Sequence, residues 1–192
     1  MKDSDTLLIF DCFGVIIAPI VKKWFYKHSL HNFTIEDVLN LYNKGDIGEY
    51  SYEDVIKELS DHSNKTVEEI DHMMMKNAKL MKIAKHLDEL KKDYCVMLLS
   101  NATKVIDRIF EIYHLNDKFD YKVISYKIKM IKPNEDIYRY AINLPNKEFK
   151  NIYFFDDNME NVEAARKIGI KAYRYKNYRE FKKIIKRSIW KQ

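Results

Sequence analysis

The residues best suited to chemistry follow three short apolar runs of the sequence. In chain order they are Asp11, Ser100, Asn101, Asp156 and Asp157. The carboxyl ends of parallel strands meet at one edge of a sheet, so these side chains are expected to lie together. Clustered carboxylates raise one another's pKa values unless a cation lies between them. Since carboxylate oxygens are preferred ligands of Mg²⁺, the pattern predicts a site for this ion and a phosphate.

Two further side chains have a chemistry that suits a phosphate group. The Ser100 hydroxyl can donate a hydrogen bond to it, and the Lys132 ammonium can neutralise its charge. Taken singly, Asp11 and Ser100 have a plainer interpretation as caps of helices. A pair of acids such as Asp156 and Asp157 is also favoured by the dipole at the start of a helix. The combination of these residues at successive predicted strand ends favours a site.

The elements that must position these residues follow from the alternation of apolar patterns. Continuous apolar runs that end at polar residues or glycine are typical of strands buried in a parallel sheet. Sets of apolar residues with helical spacing, such as Val105, Ile106 and Ile109, lie between the runs. The alternation predicts an α/β domain, a three-layer Rossmann-like core with helices on both faces of a parallel sheet. The predicted strands are 7–10, 95–99, 121–125, 152–155 and 172–175.

From about Pro19 to Lys82 the sequence has a helical pattern instead. Segment 44–48 contains two glycines and predicts a turn between two helices. We expect residues 17–82 to form a small helical bundle, inserted into a core made of residues 1–16 and 83–192. Three capping boxes mark helix starts in this insert, and they pair Thr34 with Asp37, Ser51 with Asp54, and Thr66 with Glu69.

Composition and charge narrow the class of protein. The chain has 192 residues and a formal net charge of +5, and both signs of charge are spread along it, which does not favour a nucleic-acid partner. Cys12 and Cys95 have neither a zinc-binding spacing nor a disulfide pattern. No apolar run reaches transmembrane length, and the polar start, residues 1–6, is unlike a signal peptide. These features predict a cytoplasmic protein with no membrane partner.

Four segments resemble, in order, the motifs of the haloacid dehalogenase-like (HAD) superfamily of aspartate-nucleophile hydrolases. The resemblance covers nearly the whole chain, and the insert after the first motif is similar to the family's helical cap. It implies a Mg²⁺-dependent phosphatase that acts on a small phosphorylated metabolite. The segments are 10–15, 98–101, Lys132-Pro133 with Ile137-Tyr138, and 155–165.

The resemblance also implies a role for each candidate residue. Asp11 would attack phosphorus and form an aspartyl-phosphate, which water then hydrolyses. Ser100 and Asn101 would bind the phosphoryl group, and Lys132 would stabilise charge on it and on the nucleophile. Side chains near Asp46–Tyr50 in the insert are expected to select the substrate. The implied Mg²⁺ ligands are Asp11, Asp156, Asp157 and the backbone carbonyl of Phe13.

Phe13 is a departure from the family pattern. Most family phosphatases have an aspartate at this position as general acid and base, a role worth about 10²- to 10⁴-fold in rate, although some lack it. The family's 2-haloacid dehalogenases carry an aromatic residue there, need no metal and lack the paired acids. Retention of Asp156 and Asp157 therefore favours a phosphatase. The alternatives are a metal-independent 2-haloacid dehalogenase and a catalytically weakened binding or regulatory protein.

Overall fold

Five strands alternate with helices in the computed structural model, which describes residues 5–21, 25 and 33–189. The strands are β1 (Thr6–Phe10), β2 (Cys95–Ser100), β3 (Tyr121–Ile124), β4 (Asn151–Asp156) and β5 (Lys171–Arg174). They form one sheet in the order β3-β2-β1-β4-β5, and every neighbouring pair is parallel. The predicted parallel α/β fold is therefore confirmed.

Strand β1 lies in the middle of the sheet, between β2 and β4. Successive side chains of a strand point to opposite faces. Leu8 and Phe10 belong to the apolar cluster on one face, and Leu7 and Ile9 to the cluster on the other. All four are fully buried. The run is apolar without interruption because both of its faces are covered.

Residues 33–80 contain three helices, namely α1 (Ile35–Asp46), α2 (Tyr52–Asp61) and α3 (Val67–Asn77). Each begins at a predicted capping box, after Thr34, Ser51 or Thr66, and both reciprocal hydrogen bonds of each box are present. These bonds satisfy backbone N–H groups that a helix start leaves unpaired. The predicted helical start of the insert, after Pro19, falls largely outside the described residues.

The predicted turn at residues 44–48 was wrong in its extent. Helix α1 continues through Asp46, and Gly48, with φ +75°, is the glycine that serves the turn. Gly45 is helical instead. A Cβ atom on it would lie only 2.6 Å from the Thr103 Cγ2 atom, so this glycine allows α1 to approach the segment after β2.

The remaining helices cover both faces of the sheet. A 3₁₀ turn (Lys82–His86) is followed by α4 (Leu87–Asp93), α5 (Val105–Ile112), α6 (Ser125–Ile128), α7 (Glu135–Asn143), α8 (Met159–Lys167) and α9 (Tyr178–Ile189). Buried side chains of α4, α5 and α9 belong to the cluster with Phe10, and those of α7 and α8 to the cluster with Leu7. The three layers follow from this division. No helix in the described part of the chain is both long and apolar enough to cross a bilayer.

Helices α1–α3 are connected to the sheet by two adjacent chain segments. Ile17 lies opposite Leu80 as in antiparallel strands, and the Ala18 N–H group donates to the Lys79 carbonyl at 2.8 Å. The chain thus leaves the sheet and returns to it at nearly the same place.

The same helices also contact the core directly. The Arg108 guanidinium of α5 donates two hydrogen bonds to Asp71 of α3, at 2.9 and 2.7 Å, and the Tyr52 hydroxyl donates to Asp71 at 3.0 Å. Buried residues of the helices, such as Val55 and Ile70, share one apolar cluster with the first face of the sheet. Helices and sheet therefore enclose a space over the carboxyl ends of the strands.

Candidate active site

The Lys132 side chain lies at the centre of the predicted site residues. Its Nζ atom donates hydrogen bonds to Asp11 Oδ1 at 2.7 Å, to Asp156 Oδ2 at 2.7 Å and to the Leu99 carbonyl at 3.0 Å. The side chain is only 1% exposed. An ammonium group has three hydrogens to donate, and here three acceptors fix its position.

Burial and neighbouring charges shift the pKa values of Lys132 and Asp11 in opposite directions. Burial disfavours the Lys132 ammonium, but the charges and hydrogen bonds of Asp11 and Asp156 outweigh it and raise the pKa of Lys132. Burial raises the pKa of Asp11 to about 8, although Lys132 opposes the shift; the Asp156 and Asp157 carboxylates add to it. When all three acids are ionised, the single positive charge of Lys132 therefore leaves the site with a net negative charge.

The three acids form a cluster with the chemistry of a divalent-cation site. One carboxylate oxygen from each of Asp11, Asp156 and Asp157 lies within 4.8 Å of the others. Lys132 supplies one positive charge against their three negative charges, and hard carboxylate oxygens are the ligands that Mg²⁺ prefers. The donor set and its charge therefore fit this ion.

Gly14 leaves room for one acid of the cluster. Its φ is +95°, and a Cβ atom would lie 2.4 Å from the Asp157 Oδ2 atom. We expect Gly14→Ala to displace the Asp157 carboxylate, to destabilise the fold by about 1–3 kcal/mol and to weaken any response to Mg²⁺. Thermal unfolding with and without Mg²⁺ measures both effects.

Gly169 offers a matched control for that substitution. Its φ is +88°, yet a Cβ atom there would meet nothing within 4 Å. Gly169→Ala should lower stability through backbone strain alone and keep the response to Mg²⁺. Equal responses in the two variants would contradict the role given to Gly14.

Ser100 and Asn101 are used by the structure in different ways. Ser100 is fully buried at the end of β2, and its hydroxyl lies 3.2 Å from the Asn101 carbonyl oxygen. The Asn101 side chain binds the backbone of Lys132, because its Nδ2 donates to the Lys132 carbonyl and its Oδ1 accepts from the Lys132 N–H, both at 2.9 Å. Asn101 therefore positions Lys132, and its contact with a phosphate stays a prediction.

Asn161 is a site residue that the sequence analysis missed. Its Nδ2 donates to Asp156 Oδ2 at 3.0 Å, and the Asn158 N–H donates to Asp156 Oδ1 at 2.8 Å. With the bond from Lys132, Asp156 accepts three hydrogen bonds that fix its orientation. The sequence feature that could have indicated this role is the spacing. Asn161 lies three residues after the N-cap Asn158, on the first turn of α8, which begins just after Asp156 and Asp157.

A cleft of about 1090 Å³ lies between this cluster and helices α1–α3. Phe13 lines it beside the acids, so an aromatic ring occupies the place where most family phosphatases carry an aspartate. Of the segment predicted to select the substrate, Asp46 and Ile47 line the cleft. Tyr42 and Tyr52 line it from α1 and α2.

Several solved structures share this fold. A HAD-family enzyme of Bacteroides thetaiotaomicron, in complex with magnesium and inorganic phosphate, has a TM-score of 0.70 at 20% identity, with 90% of this chain and 95% of that chain covered. A predicted HAD-like family hydrolase of Porphyromonas gingivalis has a TM-score of 0.76 at 23% identity, covering 97% and 98%. A dehalogenase has a TM-score of 0.64 at 19% identity, covering 94% and 91%. At these identities the likeness shows the fold alone.

The sequence itself matches a family model. The model, described as haloacid dehalogenase-like hydrolase, matches residues 8–174. That range includes all five of the residues that follow the apolar runs, together with Lys132 and helices α1–α3. The chain therefore belongs to the haloacid dehalogenase-like hydrolase family.

Proposed function

We propose that this hydrolase is a Mg²⁺-dependent phosphatase of small phosphorylated metabolites. The observation that carries the proposal is the buried Lys132 ammonium between Asp11 and Asp156, with Asp157 in the same cluster. A carboxylate that attacks an anionic phosphate meets charge repulsion, so such a site needs concentrated positive charge. In a 2-haloacid the negative charge lies on the carboxylate and not on the carbon under attack, so the reacting centre itself repels the nucleophile less.

The proposed reaction uses Asp11 as the nucleophile. Its carboxylate attacks phosphorus and forms an aspartyl-phosphate, which water hydrolyses in a second step. Lys132 holds Asp11 through the 2.7 Å hydrogen bond and stabilises charge on the phosphoryl group. Ser100 and Asn101 contribute to binding that group. Asp11, Asp156, Asp157 and the Phe13 carbonyl would hold Mg²⁺, which would supply a positive charge that screens the repulsion between nucleophile and substrate.

We further propose that residues 17–82 form a cap over a core made of residues 1–16 and 83–192. The adjacent connections at Ile17 and Leu80 support this division, since a chain that leaves and returns at one place can move as a unit. The cleft between cap and core would enclose a small phosphorylated substrate.

A second candidate function is dehalogenation of 2-haloacids. Phe13 favours it, because the ring lines the cleft at a position that is aromatic in the family's dehalogenases. One of the similar structures is also a dehalogenase. The acid cluster opposes this function, since two buried acids beside the partly buried Asp157 are costly in a site that binds no metal ion.

Hydrolysis of p-nitrophenyl phosphate, with Mg²⁺ and then with EDTA, tests the proposal. We expect turnover that requires Mg²⁺ and no halide release from a 2-haloacid in either condition. Metal-independent halide release would support the second candidate instead. The absence of both reactions would favour a binding or regulatory protein.

Binding of Mg²⁺ should also stabilise the fold. At a concentration of 100 times Kd, a ligand specific for the folded state contributes about 2.7 kcal/mol, which corresponds to a rise in Tm of about 5–11 °C for a chain of this size. Differential scanning fluorimetry measures this shift without any substrate.

Two variants show whether the shift arises at the acid cluster. Asp157→Asn should reduce it strongly. Asp88→Asn removes an exposed acid that pairs with Lys118 on the surface, so it should leave the shift unchanged. An undiminished shift in Asp157→Asn would place Mg²⁺ elsewhere.

A further inference from the structure

The phosphatase reaction proposed above lacks a proton donor at its usual position. An alcohol leaves phosphorus poorly as an alkoxide, so a general acid that protonates the leaving oxygen accelerates this step. Position 13 holds a phenylalanine, which has no proton to give. If the reaction is acid-catalysed, the proton must come from another side chain that lines the cleft.

Among the described residues that line the cleft, the groups outside the acid cluster differ in how well they could donate the proton to the leaving oxygen. The Tyr52 hydroxyl donates to Asp71, the Tyr42 hydroxyl donates to Met74 Sδ, and burial raises the pKa of each. A phenol of this kind stays protonated at neutral pH and is a poor base. Glu160 is exposed at the start of α8. Asp46, at the last residue of α1, is the remaining acid.

The packing of the residues around Asp46 holds it against the core. On one side, Gly45 allows α1 to approach Thr103, and on the other, a Cβ atom on Gly48 would lie 3.0 Å from the Tyr126 carbonyl oxygen. These two close approaches flank Asp46 and fix the end of α1 over the cleft.

The electrostatic environment of Asp46 suits a group that gives and takes a proton. Burial raises the pKa of Asp46 to about 7, and the charge of Lys132 across the cleft opposes the shift. Tyr42 and Lys44 of α1 line the same cleft as Asp46. The charged groups that line it from the core are Asp11, Lys132, Asp156, Asp157, Glu160 and Arg174. A pKa near the working pH is the optimum for general acid–base catalysis.

We propose that Asp46 is the general acid and base of this enzyme, supplied by the cap helix α1 in place of an aspartate at position 13. The inference rests on the proposed phosphatase function. As the Asp11 oxygen bonds to phosphorus and the ester P–O bond breaks, the protonated Asp46 gives its proton to the leaving oxygen, and an alcohol departs. Ionised Asp46 then takes a proton from water as its oxygen attacks phosphorus. The bond from phosphorus to Asp11 breaks, which releases phosphate and restores both acids.

The dependence on the leaving group tests this role. The measurement is kcat/KM for p-nitrophenyl phosphate and for phenyl phosphate, in the wild type and in Asp46→Asn. Nitrophenolate is a stable anion and leaves without a proton, whereas phenolate is more basic and benefits from one. We expect Asp46→Asn to lower kcat/KM for phenyl phosphate about 10²-fold, and for p-nitrophenyl phosphate by less than about 10-fold.

The pH profile supplies a second readout. In the wild type, kcat/KM for phenyl phosphate should fall as pH rises through about 7, because the acid form of Asp46 is lost. In the Asp46→Asn variant, kcat/KM for phenyl phosphate should not show this decrease. Asp61→Asn is the matched control, since Asp61 is the exposed last residue of α2, and it should leave both substrates and the profile unchanged.

Three outcomes would overturn the inference. An equal loss on both substrates would mean that Asp46 only binds substrate or supports the fold. Unchanged kinetics in Asp46→Asn would mean that Asp46 takes no part in the reaction. Failure of the wild type to hydrolyse even p-nitrophenyl phosphate would instead remove the phosphatase function on which the inference rests.

Discussion

Replacement of Asp11, the proposed nucleophile, by asparagine is expected to reduce the proposed phosphatase turnover by about 10⁴-fold or more, which is the loss that removal of a catalytic nucleophile causes. The amide matches the carboxylate in shape and keeps an oxygen for the 2.7 Å contact with Lys132. It cannot, however, attack phosphorus to form an acyl-phosphate. Steady-state hydrolysis of p-nitrophenyl phosphate in saturating Mg²⁺ measures the loss, and circular dichroism verifies that the variant is folded.

The same substitution should change how stability depends on pH in EDTA. Because the pKa of Asp11 is raised in the folded state to about 8, the folded protein keeps a proton that the unfolded chain loses near pH 4. Stability contributed by this group therefore falls as pH rises between about 4 and 8. Asp11→Asn lacks the group, so it should gain stability relative to the wild type across this range.

Denaturant unfolding in EDTA at pH 5 and pH 8 measures that difference. The free energy of unfolding of the variant should exceed that of the wild type by more at pH 8 than at pH 5. A difference that stayed constant would contradict the assignment of the raised pKa to Asp11. Residual activity near the wild-type level would contradict its role as nucleophile.

The substitution Lys132→Met should destabilise the fold as well as the reaction. The ammonium holds Asp11 and Asp156, both buried, and its removal leaves these acids without the positive charge that pairs with them. Breaking a buried ion pair in this way costs about 3–5 kcal/mol, which lowers Tm by about 6–20 °C for a chain of this size. Loss of charge stabilisation in the transition state should lower kcat by about 10²- to 10³-fold.

Two further variants test whether loss of the buried charge causes the destabilisation of Lys132→Met. Lys127→Met removes an exposed lysine that pairs with Asp107, so its cost should be below about 1 kcal/mol. The double substitution of Lys132 by Met and Asp156 by Asn should recover part of the stability, since it removes one unpaired charge. If Lys132→Met cost no more than Lys127→Met, the ammonium would not hold the cluster as described.

Local patterns in the sequence were sufficient to predict the frame of the fold. Strand β1 was evident because both of its faces are covered, which requires an uninterrupted apolar run. Each helix start at Thr34, Ser51 and Thr66 was evident because a capping box is a contact between residues only three apart. The carboxyl ends of the strands then bring Asp11, Asp156 and Asp157 together.

Contacts between distant parts of the chain were beyond such patterns. Asn101 binds the backbone of Lys132 across the sheet edge, and nothing near either residue indicates this. Gly45 was predicted to lie in a turn, but it is helical. Its lack of a side chain leaves room for Thr103, which comes from a different part of the fold. The direction of Asp46 into the cleft likewise depends on how α1 packs, which the sequence of α1 alone does not determine.

The central place of β1 has a consequence for biosynthesis. Leu7 pairs with Cys95 on one side and with Ile152 on the other, so β1 emerges from the ribosome long before its second partner exists. At a translation rate of about 5–20 residues per second, the interval is roughly 7–30 s. During that time an apolar strand is exposed to chaperones and to other nascent chains. Asp11, which directly follows β1, is thus made well before β4, and the acid cluster can assemble only after β4 is released.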